Sequence, residues 1–368
     1  MSKNKFIYDF YADLQIKENE IDNLTKRCLE VRKEIKDTLM GVMLLITAYG
    51  VKRDWGGTDP EIAAKNCLKA IVHSDNKYTH YLRESQLPDL TSLGIDVSID
   101  SSSLPKGSWI LEFPITLTKP FISKDDVPFY IIENPVRKDK VFGIPFISAM
   151  TWKGNLRWVM MKVFLEPAAD NPDKFAQIRF QHTLLFGTEK GWAETKSWIK
   201  YLDNLCPNAK EQYRNMLKER FNGKDIKDVH LQGMLYFYPT FWDKIDMLII
   251  NPHDRKTKAG RKPIHFEVVP MGAKGNFRLV YVPFYWFGLP EDKLREKVII
   301  DLKDVITGVK EMMLTYGFSS KKSSGFGVVE NRWDESRSRL EIKGFCNVKK
   351  YSSFEALEST VESLEGQR

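Results

Sequence analysis

Beyond Gly107 the hydrophobic pattern changes period several times, and the order of those changes leaves few folds open. Residues 109–118 (WILEFPITLT) alternate apolar and polar side chains, the period-2 pattern of a strand. Residues 149–165 read as a helix, and 192–221 as one or two polar helices. Strands follow at 233–238, 265–269 and 277–283. Residues 291–316 form a long amphipathic pattern, followed by a glycine-rich loop at 317–327 and a last strand at 339–345. Strand, helix, strands, helix, strand is the split βαβ order. It predicts an α+β core of the ferredoxin-like (RRM-like) type carrying helical insertions. No internal repeat is visible.

The region ahead of this core has a different texture. Ile21, Leu24, Cys28, Val31, Ile35, Leu39 and Val42 recur at helical spacing, and Asp59-Pro60 reads as an N-cap followed by a first-turn proline. Residues 100–107 (DSSSLPKG) are polar and turn-rich. The expected division is a helical N-terminal extension at 1–106, a core at 107–350 and a polar C-terminal tail at 351–368.

Composition removes several classes. With 42% apolar and 29% charged residues the chain can offset its conformational entropy, so wholesale disorder is excluded. The longest apolar stretch, residues 39–49, has eleven residues against the roughly 20 that a membrane-spanning helix needs. No secretory pattern opens the sequence, and the four cysteines form no CxxC pair, so a reducing cytoplasmic setting is expected. P-loop, HExxH, GxSxG and EF-hand patterns are absent. Gly325-Phe326-Gly327 fails as a dinucleotide fingerprint, because position 330 is Glu and the segment follows a helix. The six histidines show no metal-ligand spacing. A net charge of +7 permits a polyanionic partner without requiring one.

Three segments carry a signal. Residues 131–157 (IIENPVRKDKVFGIPFISAMTWKGNLR) run through a Gly-Ile-Pro turn into a helix whose first-turn amides lack intrahelical partners, with Lys153 and Arg157 one turn apart. An ordinary helix with a cationic surface explains the same residues. Residues 317–327 (GFSSKKSSGFG) combine positive-φ freedom, two lysines and four serines, the makings of a phosphate nest or of a plain flexible turn. Phe186-Gly187-Thr188, residues 233–238 and residues 246–272 read only as a hairpin with an excursion.

Taken in order, these segments resemble the RAMP superfamily, the backbone-type subunits of type III CRISPR effector complexes. The resemblance rests on four pieces within residues 107–345. They are Gly143-Ile-Pro-Phe-Ile through Lys153-Gly154-Asn-Leu-Arg157, then Phe186-Gly187-Thr188, then 267–277, and last two glycine triplets five residues apart. In the first of those triplets Ser319 stands where a glycine is expected. Asn251-Pro252-His253, Pro263-Ile264-His265-Phe266 and the KKSSGFG ending look most like the sixth, terminal subunit of Cmr complexes; the central backbone subunits are the competing match.

The resemblance implies binding of a CRISPR guide RNA, contact with target RNA and with other subunits of a type III complex, and no membrane. Lys153, Arg157, Lys321 and Lys322 are then expected at phosphates. Amides near Gly154, Gly325 and Gly327 would assist, and Arg137, Lys138 and Lys140 would form a second basic cluster. Little base specificity is expected. Target-cutting relatives use a loop Asp; the matching position here is Glu133, one methylene longer, with Asp125 and Asp126 just upstream. A misplacement of about 1 Å can cost on the order of 100-fold in rate, so an architectural role is favoured over endonuclease activity. No cofactor is then required for binding, and a divalent metal only for cleavage.

Overall fold

A computed structural model of the chain describes residues 42, 72–73, 76–125, 134–188, 197–221, 231–252, 260 and 263–365. The periodic residues 21–39 and the Asp59-Pro60 cap lie outside this set; Val42 is helical and buried. Backbone contacts divide the chain into two compact units. The smaller comprises residues 1–95, 123–145 and 243–269, the larger 96–122, 146–242 and 270–368. The chain passes into the larger unit at 95/96 and returns to the smaller one twice more, at 123–145 and 243–269, whereas the expected division placed boundaries after 106 and 350.

In chain order, helices α1 (Lys77–Tyr81) and α2 (Leu87–Ser92) precede strand β1 (Trp109–Thr116). Strand β2 (Phe146–Ile147) leads into helices α3 (Ala149–Met160), α4 (Pro172–Phe186), α5 (Ser197–Leu205) and α6 (Ala209–Arg220). Strands β3 (Leu235–Phe237), β4 (Thr240–Phe241), β5 (Asp246–Ile250), β6 (Ile264–Val268) and β7 (Lys274–Tyr281) follow. Helix α7 (Glu291–Glu311), strands β8 (Arg339–Ile342) and β9 (Cys346–Lys349) and helix α8 (Phe354–Glu365) complete the set.

The larger unit is built on a five-stranded sheet in the order β3-β7-β1-β8-β9, all pairs antiparallel. With α3 after β1 and α7 after β7, the first four of these strands give the split βαβ arrangement that the sequence predicts. Trp109, Leu111, Phe113 and Ile115 share one face of β1 with Phe277, Leu279 and Leu340 of its neighbours. Helix α3 covers this face through Trp152, edge-on to Phe277 at 5.1 Å. Trp333 and Phe354 close around Phe113 at 4.8 and 5.5 Å.

The opposite face of β1 is not solvated, as strict alternation would have it. Ile110 and Glu112 are buried there too. Residues 96–101 run across it: Glu112 accepts from Ser98 Oγ at 2.6 Å and from the Ile99 N–H at 2.9 Å. Arg278 pairs with Asp96 at 2.5 Å, Arg339 donates to the Ile99 carbonyl at 2.6 Å, and Ser101 Oγ donates to Glu341 at 3.0 Å. These buried charges are tolerated because each has an opposite charge or a hydrogen-bond partner within reach.

The C-terminal segment is not a free polar tail. Helix α8 buries Phe354, Leu357, Val361 and Leu364 and is tied to α7 by Lys310–Glu358 at 2.7 Å and Lys303–Glu365 at 3.0 Å. In the smaller unit, β5 and β6 form an antiparallel hairpin in the register Asp246↔Val268 to Ile250↔Ile264. Arg83 clamps Asp243 with two donors at 2.8 and 3.1 Å, and Tyr78 donates to the Gly143 carbonyl at 2.9 Å.

Candidate nucleic-acid interface

Helix α3 starts where the sequence places it. Ser148 is the N-cap, its hydroxyl accepting from the Thr151 N–H at 3.2 Å. Trp152, Leu156, Val159 and Met160 bury one stripe, leaving Lys153, Gly154, Arg157 and Trp158 on the other side. Gly154 lies in the second turn, where the backbone N–H is used within the helix, so it contributes space to the site and not the amide expected of it.

The glycine loop begins where α7 ends. After a last π-turn (Met312–Tyr316) the chain reverses at Gly317, φ 71°, where a Cβ would lie 2.6 Å from the Phe326 carbonyl oxygen. Gly327, φ 72°, is equally closed in, against Ser319. Phe318 between them enters the core beside Trp152 at 4.7 Å and Phe121 at 5.9 Å. The Gly325 N–H bonds to the Lys322 carbonyl at 2.8 Å and the Gly327 N–H to the Pro120 carbonyl at 2.9 Å. These glycines therefore shape the loop, and their amides are not free to meet a phosphate, contrary to expectation. Lys321 adopts a left-handed backbone (φ 76°, ψ 36°), a conformation that costs a non-glycine residue about 1–3 kcal/mol and holds the exposed tip of the loop in one shape.

Helix and loop meet. Asn155 Nδ2 reaches the Phe318 carbonyl at 3.5 Å, Trp158 packs edge-on to Tyr316 at 5.4 Å, and Lys322 Nζ sits 4.6 Å from the centre of the Trp158 ring. Partial burial lowers the Lys322 pKa. The helix that carries Lys153 and Arg157 and the loop that carries Lys321 and Lys322 thus touch although more than 150 residues apart in sequence, with Lys322 itself against the helix. Trp158, which closes the stretch WKGNLRW and is 37% exposed, was not among the expected site residues; its signal was an aromatic beside basic residues, one turn beyond a helical glycine.

The second basic cluster separates into different roles. Arg137 and Lys140 are exposed. Lys138 is not available to a phosphate: its ammonium is bonded to Glu267, with side-chain exposures of 9% and 0%. Burial lowers the Lys138 pKa while Glu267 opposes that shift. Glu267 also accepts from the Val136 N–H at 3.1 Å, so this pair anchors residues 136–138 onto β6. Of the candidate catalytic acids, Glu133 and Asp126 lie outside the described residues. The Asp125 N–H bonds to the Pro135 carbonyl at 3.0 Å. Among the described residues no group of three or more His, Cys, Asp or Glu side chains is placed to hold a metal.

The sequence model of the RAMP superfamily matches residues 115–330. The chain belongs to the RAMP superfamily. The match runs from the end of β1 through α3 to the glycine loop, and takes in Lys153, Arg157, Lys321 and Lys322. Among solved structures, this RAMP chain is similar to a chain of a type III-B Cmr-beta complex bound to cognate target RNA, at 14% identity and TM-score 0.39 over 90% of this chain and 99% of that one. It is also similar to a chain of a Csm3-Csm4 subcomplex of the type III-A interference complex, at 15% identity and TM-score 0.32 over 70% of this chain and 96% of that one. A chain of a CRISPR RNA-guided surveillance complex matches at 10% identity and TM-score 0.38, over 63% and 75% of the two chains. No curated protein sequence matches. No helix among the described residues is long and apolar enough to cross a membrane.

Proposed function

We propose that this RAMP chain is a guide-RNA-binding backbone or capping subunit of a type III CRISPR ribonucleoprotein, working in the cytoplasm with target RNA and neighbouring subunits as partners. The observation that carries the reading is the joining of Lys153 and Arg157 on α3 to Lys321 and Lys322 on the glycine loop. Four cations on one rigid surface suit successive phosphates, and they select for charge spacing and not for base identity. Exposed Arg137 and Lys140 are additional phosphate contacts. Binding of this kind needs no cofactor; a divalent metal enters only if the assembled complex cuts RNA.

The test is to isolate the tagged protein from its own cells and sequence what comes with it. Short RNAs sharing repeat-derived ends, together with partner subunits, are the expected result. Absence of RNA at low salt, where phosphate contacts are strongest, overturns the reading.

A further inference from the structure

Helix α3 carries an unexplained glycine. Gly154 lies inside the helix, where glycine costs about 1 kcal/mol relative to alanine. Helical glycines are usually explained by a crowded neighbour. Gly308 on α7 is such a case: a Cβ there would come within 2.6 Å of Met160 Cγ. At Gly154, among the described residues, nothing beyond the adjoining stretch of its own helix lies within 4 Å of the place a Cβ would occupy, its φ is an ordinary helical one, and the position is exposed. Nothing within the larger unit asks for a glycine here.

One turn further on, the same helix presents Trp158, a large apolar ring left 37% exposed. Residues four apart are neighbours on a helix surface, so the bare backbone at 154 and the indole at 158 lie side by side. Tyr316 braces the indole edge-on at 5.4 Å, and Lys322 and Lys162 bring ammonium groups to 4.6 and 5.7 Å from its centre. Lys153 and Arg157 flank the gap. A flat aromatic wall, a floor without a side chain and cations around both is the chemistry that receives a nucleobase with its phosphates.

We infer that Gly154 and Trp158 form a slot for one nucleotide of single-stranded RNA, with the base stacked on the indole and Lys153, Arg157 and Lys322 at the adjoining phosphates. The inference rests on the RNA-binding reading above and adds a stacking contact to it. Stacking is tolerant of base identity, because every base has a π-face. Filling the floor should close the slot while strengthening the helix.

The test measures affinity of the full-length protein for a short oligouridylate and for the same oligomer with abasic positions. Trp158→Ala should weaken binding of the intact oligomer about 5- to 150-fold, leave the salt dependence unchanged, and bind the abasic oligomer as the unaltered protein does. Trp158→Phe should restore most of the affinity. Gly154→Leu should lower affinity for the intact oligomer while raising the melting temperature, which shows that the helix is undamaged. Unchanged affinity in Trp158→Ala, with binding still lost in the double variant Lys153→Ala/Arg157→Ala, overturns the slot and leaves the phosphate-binding reading standing. Binding unaffected by any of these changes overturns both.

Discussion

Ser319 Oγ holds both backbone groups of Ile122, accepting from its N–H at 2.8 Å and donating to its carbonyl at 3.1 Å. The residue that departs from the doubled-glycine pattern therefore has its own task. It ties the glycine loop to the chain leaving β1, in a place where the residue is 3% exposed. Replacing Ser319 by Ala leaves the buried Ile122 N–H without a partner. A loss of about 1–3 kcal/mol is expected in chemical denaturation. Ser319→Gly should lose at least as much, since it also frees the unfolded chain.

Removing the cations of α3 and the loop should change how binding depends on salt. For single-stranded RNA the slope of log K against log salt falls by about 0.7 for each phosphate left without its cation. Lys153→Ala, Arg157→Ala and Lys322→Ala should each reduce the slope, while Lys138→Ala should not, since its charge is committed to Glu267. Titrations at several salt concentrations separate the two groups.

The Lys138–Glu267 pair should prove a structural fastening. Lys138→Met alone leaves a buried carboxylate without its cation and should cost about 3–5 kcal/mol. Adding Glu267→Gln should recover part of that loss, because a neutral amide is cheaper to bury than an unpaired charge. Urea denaturation of the two variants checks the order.

Acid should loosen the α3–α4 contact. His182 on α4 is buried, with Nε2 3.1 Å from the Arg157 carbonyl, and burial reinforced by the nearby Arg157 charge pushes its pKa down to about 3. The folded protein thus resists a proton that the unfolded chain accepts near pH 6.5. Stability from this source is complete above pH 6.5 and falls by about 1.4 kcal/mol per pH unit below it, levelling off near pH 3. His182→Gln should flatten the dependence of the melting temperature on pH within that window.

The parts that were legible in the sequence obey simple rules. β1, α3, α7 and the glycine loop stand where period and glycine placement put them, because their apolar stripes are long and uninterrupted. Helix α4 was invisible: it buries Arg179, His182 and Thr183 alongside Phe175 and Leu185, so no apolar stripe stands out. Helix α8 did show its signal, with Phe354, Leu357, Val361 and Leu364 three and four apart, among glutamates and serines that read as a tail. β1 looked one-sided because Glu112 reads as a solvent-facing residue, whereas Arg278 and residues 98–99 enclose it. Lys138 and Lys153 are the same residue type, and neither one's chain neighbours show that Lys138 is committed to an ion pair. What separates them is Glu267, far along the chain and brought alongside Lys138 only by folding.

The strap of residues 96–101 has a consequence for the kind of cargo the protein accepts. It occupies one broad side of the sheet, a surface on which several bases in a row could otherwise be laid flat and inspected. What remains for the proposed RNA is a helix face and a loop, which meet its phosphates and select no base by its edge. On the function proposed above, one copy of the protein would accept any RNA of suitable length, and exchanging one for another would ask nothing of the amino-acid sequence.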